Sequence, residues 1–68
     1  MPWYKLYEEL EQLVAKECGG RLILACNEGT GYYVSVSVFG EPDKDIITKC
    51  YSSKEIALES ALDTYKDL

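Results

Sequence analysis

The sequence predicts an α+β domain in which two helices pack on one face of a three-stranded antiparallel sheet, in the order α-β-β-β-α. Three observations predict this fold. The chain opens with apolar residues at helical spacing, continues through a central segment of strict alternation, and closes with a second apolar stripe behind a capping sequence. Helices repeat every 3.6 residues and strands every two, so the patterns are distinct. One domain is assigned to residues 1–68.

The first helix is predicted over residues 2–18. Pro2 is placed at the first helical position, where its missing N–H has no intrahelical partner to lose. Gly19 and Gly20 end the helix, because glycine readily adopts the left-handed conformation that closes a helix C-terminus. The apolar stripe repeats at intervals of three and four residues. It consists of Trp3, Leu6, Tyr7, Leu10, Leu13, Val14 and Cys18.

Three strands are predicted next, over residues 22–26, 32–39 and 45–51, and glycine-containing turns separate them. The central strand alternates with a strict period of two. Its two faces consist of Tyr32, Val34, Val36 and Val38, and of Tyr33, Ser35, Ser37 and Phe39. The third strand is predicted to divide into one face with Ile46, Thr48 and Cys50, and another with Ile47, Lys49 and Tyr51.

The last helix is predicted to begin with a capping box. In this arrangement Ser52 accepts a hydrogen bond from the Glu55 N–H, while the Glu55 side chain reaches back to the Ser52 N–H. An apolar side follows, and an amphipathic helix needs another element to cover that side. It is predicted to consist of Ile56, Leu58, Ala61, Leu62, Tyr65 and Leu68. Both helices are therefore placed on the uniformly apolar valine face of the central strand.

The opposite face of the sheet is left open by this arrangement. It combines aromatic, serine and aliphatic side chains, and aromatic residues with a polar tip are enriched at protein interfaces. The candidate partner-binding residues on this face are Tyr33, Phe39 and Tyr51. A homodimer through the open sheet face is one expectation. A solvated face that carries β-favouring aromatics accounts for the same pattern.

A row of acidic residues at four-residue spacing follows the last helix, and it supplies four further candidate partner-binding residues. They are Glu55, Glu59, Asp63 and Asp67. Like charges at this spacing oppose one another by about 0.2–0.5 kcal/mol per pair. Asp67 also lies near the negative C-terminal end of the helix. A row that costs stability is a candidate for contact with a basic surface, and a solvated helix face is the alternative interpretation.

The sequence contains no recognisable catalytic constellation, and an enzyme is not expected. Histidine, the commonest general base, does not occur. Cys18, Cys26 and Cys50 lack C-x-x-C spacing and lie in apolar patterns, which predicts buried, reduced thiols rather than a disulfide or zinc ligands. No catalytic residue, metal site or cofactor is therefore predicted.

Composition and charge favour a protein partner. The chain is 47% hydrophobic and 28% charged, as in globular domains, and its net charge is −5. An acidic chain disfavours direct nucleic-acid binding, because Lys and Arg supply most of the affinity for phosphates. It favours a basic partner, or simply solubility. No apolar run approaches the roughly 20 residues that span a bilayer, and no signal peptide precedes the first helix, so membrane contact is not expected.

The order and length of the elements resemble the double-stranded RNA-binding domain, and residues 53–57 resemble the start of its second helix. This resemblance implies the same fold. The family's lysine cluster and its histidine-bearing strand loop are absent here. RNA binding is therefore kept as the alternative function rather than the expected one.

Two further resemblances point to mobile genetic elements. Residues 28–36 and 53–61 resemble HicB-type antitoxins, which enter a strand through an acid-glycine turn and carry a helix rich in Glu and Ala. The Pro-Asp-Leu-Pro-Gly segment of those antitoxins is missing here, and the leading helix is extra. Residues 10–16 and 51–53 resemble small phage proteins of the α-β-α sandwich type. In size and charge the chain is similar to anti-CRISPR proteins.

The expected function is that of a small, acidic, non-enzymatic protein-binding module, an anti-CRISPR-like inhibitor from a phage or other mobile element. Such an inhibitor blocks a nucleic-acid-binding host protein by placing carboxylates against its Lys and Arg, while apolar anchors add affinity. The alternatives are a nucleic-acid binder of the double-stranded RNA type, and a HicB-like antitoxin or self-associating structural module. The expected location is the cytoplasm, of the host cell if the protein is viral.

Overall fold

The computed structural model describes residues 2–68 and confirms the α-β-β-β-α order of an α+β fold. The sheet is antiparallel, with its strands in the order β1-β2-β3. Among residues 2–68, neither helix is long and apolar enough to cross a membrane. The elements are α1 (Trp3–Ala15), β1 (Gly20–Asn27), β2 (Gly31–Val38), a short 3₁₀ turn (Pro42–Lys44), β3 (Ile46–Ile47) and α2 (Lys54–Lys66).

Helix α1 is shorter at both ends than its apolar stripe predicts. Pro2 precedes the helix in an extended conformation, with φ −64° and ψ 148°, so its placement at the first helical position is wrong by one residue. The helix ends at Ala15, before the two glycines, and Gly20 already pairs with Val38 as the first residue of β1. The buried side of α1 is formed by Leu6, Leu10 and Val14.

Strands β1 and β2 form a regular hairpin that pairs from Gly20↔Val38 to Asn27↔Gly31. Glycine is required at the start of β2, because Gly31 has φ +106° and a Cβ there would collide with the Tyr51 carbonyl oxygen. That close approach lets Tyr32 exchange two backbone hydrogen bonds with Tyr51, of 2.7 and 2.8 Å. The start of β2 therefore also positions Tyr51, from which the chain continues into α2.

A bulge interrupts the third strand and explains why β3 has two residues rather than the predicted seven. Thr48 lies opposite Val34: its N–H donates to the Val34 carbonyl, and its hydroxyl accepts from the Val34 N–H, both at 3.0 Å. Tyr51 lies opposite Tyr32. One residue separates the paired positions on β2, but two separate them on the third strand. An extra residue of this kind defines a β-bulge.

The bulge reverses the facing of Tyr51, so the prediction that it lies on the open sheet face is wrong. One inserted residue shifts the period-two alternation and moves each following side chain to the other face. Tyr51 accordingly packs against the core, and its hydroxyl lies 3.3 Å from the Ser60 Oγ of α2. The sequence pattern could not show this, because alternation by itself contains no sign of an inserted residue.

Helix α2 begins with a cap one residue later than predicted. Ser53, not Ser52, is the capping residue, and its hydroxyl accepts a hydrogen bond from the Glu55 N–H at 3.1 Å. The two helices run parallel on the valine face, since Lys54 lies over Trp3 at their N-terminal ends. Helices α1 and α2 therefore present a common outer surface.

The core lies between the helices and the valine face of β2, as predicted. Leu10 of α1 and Leu58 of α2 are fully buried, and they pack into the same cluster as Val34 and Val36. Fully burying each such side chain contributes about 1.5–3 kcal/mol relative to exposure. This cluster fixes both helices to one side of the sheet and leaves the other side uncovered.

Replacing Gly31 with alanine should destabilise the protein much more than replacing Gly29. Both residues have positive φ, but a Cβ at Gly29 meets nothing within 4 Å, while one at Gly31 collides with backbone. We expect a loss of about 1 kcal/mol for Gly29→Ala and about 3 kcal/mol for Gly31→Ala. Urea unfolding measures both values, and equal losses would contradict the close Gly31–Tyr51 approach.

Tyr51→Ser should destabilise the fold, whereas Tyr33→Ser should change it little. Tyr51 packs under α2, while Tyr33 lies on the open face opposite Ala25. We expect losses of about 2 kcal/mol for Tyr51→Ser and under about 1 kcal/mol for Tyr33→Ser, measured by thermal or urea unfolding. A larger loss of stability for Tyr33→Ser than for Tyr51→Ser would mean that the third strand continues without a bulge.

Candidate protein-binding surface

The predicted acidic row lies on the outer side of α2. Glu55, Glu59, Asp63 and Asp67 are all exposed. The opposite side of the helix is buried, through Ala57, Leu58, Ala61 and Leu62. Asp67 is the C-cap and keeps a right-handed helical conformation, so the spacing of four continues to the end of the helix. The structure therefore brings the four predicted carboxylates together in one continuous row.

Lys54, the first of the two lysines of α2, does not neutralise this row. Its ammonium lies 4.6 Å from the ring centre of Trp3 and 5.6 Å from that of Tyr32. Cation–π contacts of this kind contribute about 0.5–1 kcal/mol at exposed sites. Trp3 itself is supported by an edge-to-face contact with Tyr4, at 6.2 Å between ring centres. The aromatic cluster thus holds Lys54 on the α1 side of the helix.

Lys66, the second lysine of α2, also turns away from the row. Its ammonium lies 3.1 Å from a carboxylate oxygen of Glu9 on α1, and both side chains are about half exposed. An exposed ion pair of this kind contributes little to stability. Its consequence is electrostatic: within residues 2–68, no ion pair involves any of the four carboxylates of the acidic row.

An exposed aliphatic side chain lies within the acidic row. Ile56, which the apolar pattern assigns to the buried side of α2, is instead 46% exposed. Helical spacing places it one turn from Glu59 and two turns from Asp63 on the same outer side. Sequence patterning missed this residue because an isoleucine in an amphipathic helix is normally assigned to the core. The row therefore combines four carboxylates with an apolar residue.

A third lysine pairs with two acidic side chains outside the helices. Lys44 of the 3₁₀ turn lies 2.6 Å from a Glu17 carboxylate oxygen and 3.7 Å from Glu41. The hydrogen bond to Glu17 raises the pKa of Lys44 above its ordinary value. Burial raises the pKa of the neighbouring Tyr65, and the negative charge of Glu17 adds to that increase. Both groups therefore stay protonated at neutral pH, and Lys44 keeps its positive charge.

The open sheet face keeps two of its three predicted aromatic residues. Tyr33 is half-buried on this face, and Phe39, just beyond β2, is 89% exposed. Ile47 of β3 is also strongly exposed. A shallow cleft of about 540 Å³ lies at the Phe39 end, between Arg21 and Asp45. The face is thus apolar in patches, and it lies on the opposite side of the sheet from the acidic row.

The three cysteines correct another prediction. Cys18, Cys26 and Cys50 are free thiols, but all three are exposed rather than buried. Cys18 follows the shortened α1, and Cys50 lies in the bulge, where its sulfur is 3.9 Å from the Asn27 side-chain amide. Within residues 2–68, no group of three or more His, Cys, Asp or Glu side chains is arranged to hold a metal ion.

Comparison with protein-family models, with curated proteins and with solved structures finds no match for this chain. The acidic row and the open sheet face are the two candidate binding surfaces. They differ in charge and lie on opposite sides of the molecule, so mutations can test them separately.

The native protein should react with three equivalents of a thiol reagent as fast as the denatured chain does. Exposure governs access to a thiol, and all three are exposed. Reaction followed by absorbance or intact mass measures the three rates, with the protein in urea as the reference. A thiol that is modified only after unfolding would contradict its placement at the surface.

Proposed function

We propose that this chain is a non-enzymatic protein-binding module that uses the acidic row of α2 to occupy a basic, nucleic-acid-binding surface on its partner. The observation that supports the proposal is the orientation of the two α2 lysines. Both extend towards α1, which leaves Glu55, Glu59 and Asp63 exposed and without ion pairs among residues 2–68. A basic partner would relieve the like-charge repulsion within the row.

The spacing of the row suits a surface that binds phosphates. Four residues of helix advance by about 6 Å. Phosphates along one strand of duplex DNA advance by about 3.4 Å each along the axis. Because the strand also winds around that axis, successive phosphates lie farther apart than this rise, at a spacing similar to that of successive carboxylates of the row. Lys and Arg side chains that contact a nucleic-acid backbone can therefore meet carboxylates at similar intervals. Ile56 would supply an apolar contact beside Glu55 and Glu59.

The expected role is that of an inhibitor, because occupation of such a surface excludes nucleic acid from it. Charge complementarity chiefly increases the rate of association and selects basic partners, while the apolar contact slows dissociation. The similarity to anti-CRISPR proteins in size and charge supports the same role. We include in this proposal that the protein comes from a phage or other mobile element and acts in the cytoplasm of the host cell.

Charge reversal at Glu59 and Asp63 should weaken binding to the partner by about tenfold or more and leave the fold intact. The partner is first captured from the source cell with the wild-type chain and identified by mass spectrometry. Affinity is then measured by calorimetry for Glu59→Lys/Asp63→Lys. The matched control is Glu8→Lys/Glu11→Lys, which changes the net charge equally at exposed positions of α1.

Two outcomes would contradict the proposal. The first is equal affinity of a folded Glu59→Lys/Asp63→Lys variant and the wild type. The second is an equal loss of affinity in the α1 control, which would mean that net charge rather than the acidic row determines binding. A gel mobility shift of RNA or DNA by the wild-type chain alone at low salt would favour the double-stranded RNA type of binder instead.

A further inference from the structure

Strand β1 forms one edge of the sheet, and the hydrogen-bond pattern shows which of its groups point outward. In β2, Tyr32 and Val34 direct their backbone groups towards the third strand, while the Phe39 N–H donates to the Gly19 carbonyl on the other side. Backbone groups of successive residues in an antiparallel strand alternate in direction. On β1, the backbone N–H and C=O groups of Arg21, Ile23 and Ala25 therefore point towards β2.

The alternate residues of β1 direct their backbone N–H and C=O groups away from the sheet. These are Leu22, Leu24 and Cys26, with three N–H donors and three carbonyl acceptors. Within residues 2–68, none of these groups forms a backbone hydrogen bond with another element. The edge is eight residues long and regular in its pairing with β2.

This edge lacks the features by which sheet edges usually avoid association. Natural edge strands carry lysines, prolines or bulges, or they are very short. The sequence of β1 is GRLILACN, which has no lysine and no proline, and Arg21 is its one charged residue. The other edge of the sheet, by contrast, has a two-residue strand and a bulge. The two edges therefore differ in their ability to accept a further strand.

We propose that two copies of this chain pair antiparallel through β1, about a twofold axis at Leu24, and join their sheets into one of six strands. In this register Leu24 lies opposite Leu24 of the second copy, and Leu22 lies opposite Cys26. All six outward backbone groups of each copy then find partners. The twofold symmetry requires a self-complementary edge, and this register provides it.

The side chains fit this register on both faces of the sheet. On the helix side, Leu22 meets Cys26 of the second copy. On the open side, Ile23 meets Ala25, and Arg21 meets Asn27 of the second copy. The one charged residue of the edge thus faces a neutral polar side chain, and no like charges lie directly opposite each other.

Helix α1 covers one end of β1 and leaves the other end free for the second copy. At its C-terminal end Val14 lies against Gly20, where a Cβ would collide with it. Its N-terminal end lies near Tyr32 of β2, because Lys54 contacts the rings of both Trp3 and Tyr32. Cys26, at the far end of β1, is exposed. The antiparallel arrangement places the covered end of each β1 beside the uncovered end of the other.

A single pair of strands buries less area than most permanent dimers, so the dimer should be weak. We expect a dissociation constant between about 1 µM and 1 mM. The carboxylates on the helices of the two copies repel each other, and salt should therefore strengthen the dimer by screening them. This pairing is independent of the proposed function, because the acidic row of α2 is not part of the β1 edge.

Sedimentation equilibrium up to about 1 mM protein tests the proposal. The variant Ile23→Lys/Ala25→Lys places like charges directly opposite each other across the proposed interface, and it should remain monomeric. The control Asp43→Lys changes the net charge equally, at an exposed position of the 3₁₀ turn outside the proposed interface, and it should dimerise. Circular dichroism checks that both variants are folded.

Disulfide crosslinking tests the register in a chain with all three cysteines replaced by serine. A mixture of Ile23→Cys and Ala25→Cys chains should form a mixed disulfide, because these positions lie directly opposite each other. Each variant alone should crosslink poorly. A monomeric wild type at about 1 mM, or a dimer that persists in Ile23→Lys/Ala25→Lys, would overturn the proposal. So would crosslinking of Ile23→Cys with itself in preference to the mixture.

Discussion

The structure depends on the uniformly apolar face of β2. Val34 and Val36 are almost completely buried there, and they give α1 and α2 a common surface through Leu10 and Leu58. Strand geometry then places every second residue of β2 on the opposite face. This alternation determines which side of the sheet holds the helices, which side stays open and which side of α2 faces outward. Loss of the valine face would remove both helices from their positions together.

The surface electrostatics of α2 follow from contacts between the helices. Lys54 lies against aromatic rings of α1 and β2, and Lys66 pairs with Glu9 of α1. These contacts draw both lysines towards α1 and away from the outer side of α2. The acidic character of that side is therefore greater than the composition of the helix suggests. Each contact is weak, but together they determine where the charges of the helix layer lie.

The element order, the valine core and the exposed acidic row could be predicted from the sequence, because each depends on a repeating pattern within one element. The facing of Tyr51 and the exposure of Ile56 could not. Tyr51 turns inward because of one inserted residue in the third strand, and local alternation does not reveal an insertion. The directions of Lys54 and Lys66 depend on the packing of α2 against α1, which is a tertiary feature.

The most direct test of the account is a map of the partner's contact surface by amide chemical shifts. The isotopically labelled chain is titrated with unlabelled partner, and the shift of each backbone amide is followed. If the acidic row binds the partner, the largest changes should lie in α2, around Glu55, Ile56, Glu59 and Asp63, and added nucleic acid should reverse them. Changes confined to Tyr33, Phe39 and Ile47 would place the partner on the open sheet face and contradict the central claim.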